Sequence, residues 1–180
     1  MKKLLFITIF LFTFSGYAQF GVKISYVAFD LNSKGENLNE SEIIDGLGLG
    51  LDYGFNLEKF KLIAGINADF VNEDGEESES VITPSLVVKY YIGNKIGLSS
   101  GLAVPIWDIP RGQGLFPSAF HVPLGLDYDI SDKISIFAIY SIAAQNRLDI
   151  DYYENNFPTG SWGIDSITDN SFNFGIHYSF

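Results

Sequence analysis

The feature that most constrains this chain is a repeated alternation in which apolar residues occupy every second position. The clearest stretch runs from Gly46 to Phe55, where leucine, tyrosine and phenylalanine alternate with glycine and aspartate. Because successive side chains of a β-strand point to opposite faces, this stretch predicts a strand with one apolar face and one nearly bare face. The same period can be read seven more times between residues 20 and 180, which predicts eight strands.

The connections between the predicted strands alternate in length. The tight hairpins lie at residues 56–59, 93–94 and 131–132, and the long polar connections lie at residues 32–43, 72–80, 108–117 and 147–168. Short turns at one end and long loops at the other are typical of outer-membrane barrels, in which the turns face the periplasm. The sequence therefore predicts an all-β fold: an eight-stranded antiparallel up-and-down transmembrane β-barrel with short periplasmic turns and four long extracellular loops.

A sheet in lipid has to close, because hydrocarbon offers no hydrogen bonds to a free strand edge. The apolar set of each strand then faces lipid, and the alternating small or polar set faces the lumen. The predicted lumen-facing residues are Lys23, Ser25, Gly48, Gly50, Asp52, Lys61, Gly65, Asn67, Asp69, Ser85, Lys89, Ser99, Gly101, His121, Gly125, Asp127, Ser135, Ser141, Asn173, Gly175 and His177. Side chains can fill an eight-stranded interior, so we expect internal ion pairs between these lysines and aspartates, and no wide pore.

Aromatic residues concentrate near both ends of the predicted strands, where membrane barrels carry girdles at the two interfaces. Those near the short turns are Phe55, Tyr90, Tyr91, Tyr128, Tyr178 and Phe180, and those near the long loops are Phe29, Phe70, Trp107, Phe116 and Phe120. A soluble barrel would carry a charged outer face, whereas the second face of these strands is rich in glycine and sparsely charged. The pattern therefore favours a membrane barrel over a soluble one.

The first 18 residues have the pattern of a cleaved secretory signal peptide. Two lysines at positions 2 and 3 precede an apolar run over residues 4–14, and Gly-Tyr-Ala at residues 16–18 fits a cleavage site. The apolar run is too short for a transmembrane helix, which takes about 20 residues. We therefore expect residues 1–18 to be removed and residues 19–180 to form one outer-membrane barrel domain.

The composition excludes several classes of protein. The chain contains no cysteine, which excludes disulfides, thiolate metal sites and a lipid anchor on a cysteine at the cleavage site. Without the two lysines of the leader, nine basic side chains stand against 22 acidic ones, a formal charge of −13. Because phosphate contacts require clustered lysine and arginine, we predict no nucleic-acid partner.

Several short stretches resemble known outer-membrane proteins. The segment SFNFGIHYSF at residues 171–180 is similar to the C-terminal signal by which bacterial outer-membrane barrels are selected for insertion. The runs FGVKISY from Phe20, FHVPLGLDY from Phe120 and ISDKISIF from Ile130 resemble the small PorT-like outer-membrane β-barrel domains of Bacteroidetes. The resemblance implies a barrel fold in the cell outer membrane, and it carries over no catalytic residue.

His121 is the candidate catalytic residue if the barrel modifies lipid A, because it is predicted just inside the sixth strand after a long loop. A nucleophile two residues away would share its face, but those positions hold Ala119 and Pro123, and Ser118 points to the other face. A partner on a neighbouring strand remains open. We interpret His121 as part of the polar lumen, and we predict no catalytic residue and no cofactor.

The predicted second and fourth loops carry acidic clusters. Five acidic residues crowd positions 73–79, and Asp149, Asp151 and Glu154 lie in the fourth loop. Such loops can hold Ca²⁺, but the ordered spacing of an EF-hand is missing, so we predict solvated loop tips and no metal site. The fourth loop also carries residues suited either to anchoring a partner or to covering the barrel mouth, namely Tyr152, Tyr153, Phe157, Pro158 and Trp162.

These observations predict a non-enzymatic integral outer-membrane protein with a structural role, or with a surface-contact role through its extracellular loops. One alternative is an outer-membrane enzyme that modifies lipid A or phospholipid with His121, and another is a narrow channel. The expected partners are outer-membrane lipid and lipopolysaccharide, and the barrel assembly machinery during insertion. We expect the barrel to be a monomer.

Overall fold

The computed structural model describes residues 18–35, 39–72, 79–109, 114–117, 120–144 and 164–180. The predicted signal peptide lies outside this part of the chain, apart from the backbone of Ala18. Most of the acidic second loop, at residues 73–78, also lies outside it. The same holds for residues 145–163, which include the acidic and aromatic residues of the fourth loop.

One antiparallel sheet of ten β-segments makes up the described fold. The segments are β1 (Ala18–Gly35), β2 (Asn39–Leu57), β3 (Phe60–Asn72), β4 (Glu79–Ile92), β5 (Ile96–Ala103), β6 (Ile106–Ile109), β7 (Gly114–Pro117), β8 (His121–Asp129), β9 (Ile134–Ala143) and β10 (Ile164–Ser179). Within the described ranges, no helix is long and apolar enough to cross a membrane.

The ten segments correspond to the eight predicted barrel strands. β4 pairs with β5 through Ser85 and Ala103, and it continues to pair with β6 through Ile82 and Ile106. β5 and β6 are therefore one barrel strand, interrupted at Pro105, whose ring nitrogen has no hydrogen to donate to a neighbouring strand. β7 and β8 form the next strand in the same way, since they pair with β6 and β5 respectively.

The sheet closes on itself where β1 meets β10. β1 pairs with β2 on one side and with β10 on the other, and β3 pairs with β4. At this seam the backbone N–H of Phe180 donates to the carbonyl of Phe20 over 2.9 Å. The structure thus confirms the predicted eight-stranded antiparallel barrel.

The register also confirms the predicted faces of the strands. Leu47, Leu49 and Leu51 of β2 are exposed on the outside, whereas the alternating residues Gly48 and Gly50 are buried. Large apolar side chains are exposed in the same way on every barrel strand. A soluble monomer rarely exposes so large an apolar surface, and a closed barrel that carries it is suited to lipid. The protein is a barrel of the outer membrane.

Three tight turns define one end of the barrel, called here the turn end. The β2–β3 turn contains Glu58 with a φ of 52°, and the β4–β5 turn contains Gly93 with a φ of 66°. In the β8–β9 turn, the Ser131 hydroxyl accepts hydrogen bonds from two backbone N–H groups, those of Lys133 and Ile134. The three predicted hairpins are confirmed, and the opposite end is called the loop end.

At the loop end, three of the four predicted long connections are partly strand. β1 and β2 remain paired as far as Lys34 and Asn39, inside the connection predicted at residues 32–43. β6, β7 and the start of β10 likewise lie inside the connections predicted at residues 108–117 and 147–168. The apolar alternation stops where the strands leave the membrane, because both faces of a strand then meet water. Backbone pairing does not depend on this alternation and continues past that point. The connection predicted at residues 72–80 agrees with the ends of β3 and β4.

Several of the predicted girdle aromatics face outward as expected. Those exposed on the outer face are Phe70, Phe120, Tyr90, Tyr128 and Phe180. Phe55 and Tyr178 lie on the same face and are half-buried. Their rings meet neighbouring aromatics edge to face, with centroid distances of 4.9 Å from Phe55 to Tyr53 and 5.1 Å from Tyr178 to Phe180.

The girdle prediction is wrong for three aromatic residues. Phe29 and Trp107 are buried inside the barrel, because they occupy lumen-facing positions of β1 and β6. Tyr91 alternates with the outward Tyr90, and its ring centre lies 5.8 Å from the Nζ of the lumen residue Lys89. The side chain of Phe116 lies outside the described part of the structure.

Candidate functional site in the barrel lumen

The two halves of the lumen are lined by different kinds of side chain. The half toward the turn end contains the ion-pair cluster, which consists of Lys23, Asp52, Lys89, Asp127 and His177. The half toward the loop end contains the apolar plug, which consists of Val27, Phe29, Ile44, Val71, Val81 and Trp107. Both sets are buried because every second residue of each strand points inward.

Asp52 is the shared acceptor of the ion-pair cluster. Its carboxylate lies 3.0 Å from Lys23 Nζ and 3.2 Å from His177 Nε2. The register places Lys23 of β1 directly opposite His177 of β10, so both reach the same carboxylate on β2. A Cβ atom at Gly21 would lie 2.1 Å from His177 Nε2, so glycine is required for this close approach.

A second buried ion pair joins β4 to β8. Lys89 Nζ lies 2.8 Å from Asp127 Oδ1, and both side chains are almost completely buried. Lys61 lies further toward the turn end and donates to the Gln19 side-chain oxygen over 2.9 Å. The predicted internal pairing of lysines with aspartates is confirmed for two of these three lysines, and Lys61 instead binds an amide oxygen.

A buried histidine–aspartate pair lies beside the apolar plug. Asp169 Oδ1 lies 3.1 Å from His121 Nε2, and Asp169 Oδ2 accepts a hydrogen bond from Trp107 Nε1 over 3.1 Å. Asp169, His121 and Trp107 are each 0% exposed. Sequence analysis did not identify Asp169, which follows the connection predicted at residues 147–168. Asp169 lies four positions before the lumen residue Asn173, so the period-two alternation places Asp169 on the lumen face as well.

The apolar plug closes the lumen at the loop end. The rings of Phe29 and Trp107 meet edge to face, with centroids 4.9 Å apart and planes at 62°. Val27, Val71 and Val81 complete the contact and are 0% exposed. A tight apolar constriction of this kind excludes water and ions from a channel. This closure agrees with the expectation of no wide pore.

A small cavity lies in the lumen and reaches both groups of side chains. Its volume is about 70 Å³, and its lining includes Asp69, Asn173 and His121 together with members of the ion-pair cluster. One water molecule needs roughly 10–15 Å³ of such volume, so the cavity has room for about five water molecules. The polar lining favours water or an ion over an apolar ligand.

The described surroundings of His121 differ from those of a catalytic triad. In a serine-type triad, one imidazole nitrogen binds the carboxylate and the other binds the nucleophile. Here Nε2 binds Asp169, and Nδ1 has no hydrogen-bond partner among the described residues. The imidazole also points into the lumen, whereas a lipid substrate lies outside the barrel wall. In the described part of the chain, His121 contacts Asp169 beside the apolar plug.

The described ranges contain no group of three Asp, Glu, His or Cys side chains that could hold a metal ion. Most of the acidic residues that sequence analysis considered for Ca²⁺ lie at residues 73–78 and 145–163, outside those ranges. The expectation that the loop tips hold no metal therefore stays a prediction.

Comparison with known proteins relates this chain to outer-membrane barrels by fold. No protein-family model and no curated protein matches the sequence. The structure is similar to that of Ail, the attachment invasion locus protein of Yersinia pestis, at 13% identity and a TM-score of 0.51, over 89% of this chain and 98% of that one. Neisserial surface protein A gives 9% identity and a TM-score of 0.47 over 88% and 97% of the two chains. The outer-membrane protein OprG from Pseudomonas aeruginosa gives 13% identity and a TM-score of 0.40, over 91% of this chain and 96% of that one. At such identities the likeness to Ail concerns the fold alone.

Proposed function

We propose that this outer-membrane barrel is a non-enzymatic protein that acts by surface contact at its loop end. The observation that carries the proposal is the apolar plug, which closes the lumen beside the buried pair of His121 and Asp169. A closed lumen offers solutes no path, and a buried histidine offers lipid no reaction centre. The accessible features are then the extracellular ends of the strands and their connections.

Within the described ranges, three strands extend further toward the loop end than the others. The described pairing of β2 with β3 begins at Asp45, and that of β10 with β9 begins at Ser171. β1 continues to pair with both of them as far as Lys34. In this extension Ile43 is 71% exposed. Strand edges and exposed apolar side chains outside the membrane are suited to contact with another protein.

The alternative of a lipid-modifying enzyme requires His121 to meet a lipid headgroup. Its complete burial, its inward direction and its bond to Asp169 all oppose such a role. A narrow channel would require the ring contact between Phe29 and Trp107 to separate. Neither alternative has a feature in the described part of the chain that favours it over surface contact.

The test uses the source bacterium with the protein deleted and then restored in three forms. The forms are the full chain, a His121→Gln variant, and a trimmed variant in which residues 33–40 are replaced by a two-residue Asn-Gly turn. We expect the full chain and His121→Gln to restore cell binding to arrays of immobilised proteins, and the trimmed barrel to fail. Lipid A and phospholipid profiles by mass spectrometry should be the same in all strains.

Three outcomes would contradict this proposal in different ways. A lipid change that needs His121 would identify an enzyme, and a steady conductance in planar bilayers would identify a channel. If the strain that lacks the protein binds the arrays as well as the strain with the full chain, and loses only its resistance to detergent, the protein has a structural role alone. Heat-dependent gel mobility of each variant shows that its barrel has folded.

We further propose that the chain belongs to the small PorT-like barrels of Bacteroidetes. The resemblance of FGVKISY, FHVPLGLDY and ISDKISIF to those barrels supports this proposal. FGVKISY lies in β1, where it pairs with the C-terminal segment of β10. Contact with lipopolysaccharide and with the barrel assembly machinery, and a monomeric state, follow as expectations for such a barrel. Chemical cross-linking in intact outer membranes tests the monomer and captures an assembly partner.

A further inference from the structure

Asp69 is a buried carboxylate with no cationic partner among the described residues. Its side chain is 2% exposed, and its Oδ1 atom receives no hydrogen bond from the described part of the chain. It lies on β3 directly below the apolar plug, two residues from Val71 and opposite Val81 of β4. An isolated charge away from water is strongly unfavourable, so Asp69 requires either a counter-charge or a proton.

The lysines of the lumen are not placed to supply that counter-charge. Of the three lumen lysines that the structure describes, Lys23 and Lys89 are held by Asp52 and Asp127. The third, Lys61, donates to Gln19 near the turn end. Lys61 is eight residues from Asp69 along the same strand, which corresponds to about 26 Å. Among the described side chains, Asp69 therefore has no lysine close enough to neutralise it.

Oxygen atoms from three strands border the space beside Asp69. A Cβ atom at Gly48 would lie 2.3 Å from Asp69 Oδ1 and 2.6 Å from Ser25 Oγ, so these two oxygens converge over the bare backbone of Gly48. Asn173 Oδ1 is also buried without a hydrogen-bond partner among the described residues, and Asn173 lines the same cavity. Carboxylate, hydroxyl and amide oxygens are the ligands that hard cations prefer.

We propose that the lumen cavity beside Asp69 binds one alkali-metal cation, with Asp69, Ser25 and Asn173 as oxygen ligands and water completing the shell. A monovalent cation neutralises the single carboxylate, whereas a divalent cation would leave a net positive charge in a buried site. The cavity of about 70 Å³ has room for the ion and several waters. The ion performs at the loop end the charge neutralisation that lysines perform at the turn end.

The experiment measures the thermal unfolding midpoint of the full barrel in detergent micelles, in NaCl or in choline chloride of equal ionic strength. Binding to the folded state alone stabilises it, so Na⁺ should raise the midpoint of the unmodified protein by about 5 °C. Asp69→Asn should remove this dependence on Na⁺. Asp52→Asn is the matched control, because it removes a lumen carboxylate that already has cationic partners. It should lower the midpoint in both salts and keep the Na⁺ effect.

Gly48→Ala provides a second variant that keeps the carboxylate and fills the space beside it. Its Cβ would displace Asp69 Oδ1, so the Na⁺ effect should disappear here as well. Equal midpoints of the unmodified protein in the two salts would overturn the proposal. A Na⁺ effect that survives in Asp69→Asn would also overturn it.

Anomalous scattering tests the cation site directly, and it does not require the Asp69→Asn variant to fold. Crystals of the unmodified barrel are soaked in Tl⁺, an anomalous scatterer that replaces alkali cations. An anomalous peak in contact with Asp69 is the expected result, and its absence from crystals that diffract well would overturn the site.

Discussion

The two halves of the lumen differ in what keeps them filled. Toward the turn end, Lys23 and Lys89 lie 3.0 and 2.8 Å from the carboxylates of Asp52 and Asp127. Toward the loop end, the space is filled mainly by the apolar plug around Trp107. A buried ion pair fails when either charge is removed, whereas apolar packing fails when volume is removed. The turn end is therefore sensitive to loss of charge, and the loop end is sensitive to loss of volume.

The largest effect is expected from Trp107→Ala at the loop end. The substitution removes the ring that packs on Phe29 and the N–H that binds Asp169, so it should destabilise the barrel by about 4 kcal/mol. Urea-induced unfolding followed by gel mobility measures the change. The control is Phe120→Ala on the lipid-facing side, with an expected cost of about 1 kcal/mol. Equal costs for the two would contradict the plug.

A comparable but smaller effect is expected from Asp127→Leu at the turn end. It leaves the buried Lys89 ammonium without its carboxylate, which should destabilise the barrel by about 3 kcal/mol. Adding Lys89→Met removes the orphaned charge and should recover stability to within about 1 kcal/mol of the unmodified protein. The same urea titrations complete this double-mutant cycle. A double variant as unstable as the single one would show that packing dominates at the turn end too.

Two glycines of β2 should differ in how much an added methyl group destabilises the barrel. A Cβ at Gly46 would lie 1.8 Å from the backbone oxygen of Phe70, whereas at Gly54 it would lie 2.2 Å from the flexible Lys61 side chain. Gly46→Ala should therefore cost about 2 kcal/mol, and Gly54→Ala less than about 1 kcal/mol. Thermal midpoints measured side by side distinguish the two, and the reverse order would show that the loop end is the more adaptable half.

The smallest effect is expected in the β4–β5 turn, outside the lumen. Gly93 has a φ of 66°, which a β-branched residue adopts only with strain. Gly93→Val should lower the free energy of unfolding by about 1 kcal/mol, and Gly93→Asn by less, because asparagine tolerates this conformation. If Asn and Val lower it equally, the loss comes from something other than the backbone of this turn.

The strands and their faces were predictable because alternation in the sequence follows directly from strand geometry. The same alternation also places Val27 and Phe29 on the lumen face, two and four residues beyond Ser25. The girdle prediction assigned Phe29 and Trp107 by their position near the loop end and not by alternation, and both were assigned to the wrong face. Near the plug both faces of a strand are apolar, so residue type does not distinguish the lumen face from the lipid face. The face then follows only from whether a residue lies an even or an odd number of positions from a known lumen residue.

The contacts between lumen residues were less predictable than their direction. His121 and Asp169 are 48 residues apart, and their meeting depends on the stagger of β8 against β10 around the barrel. The isolation of Asp69 likewise depends on how far each lumen lysine lies from it along the barrel axis. Period-two alternation fixes which way a side chain points and leaves its height in the barrel undetermined.

The seam between β1 and β10 has a consequence for the time course of assembly. Ile24 pairs with Ile176, and these residues are 152 positions apart in the chain. At a synthesis rate of roughly 5–20 residues per second, β1 waits about 8–30 seconds before β10 has been made. During that interval one edge of β1 has no native partner, and such an edge can pair with other chains. The last strand therefore decides when this edge is protected, because only β10 can cover it with its native partner.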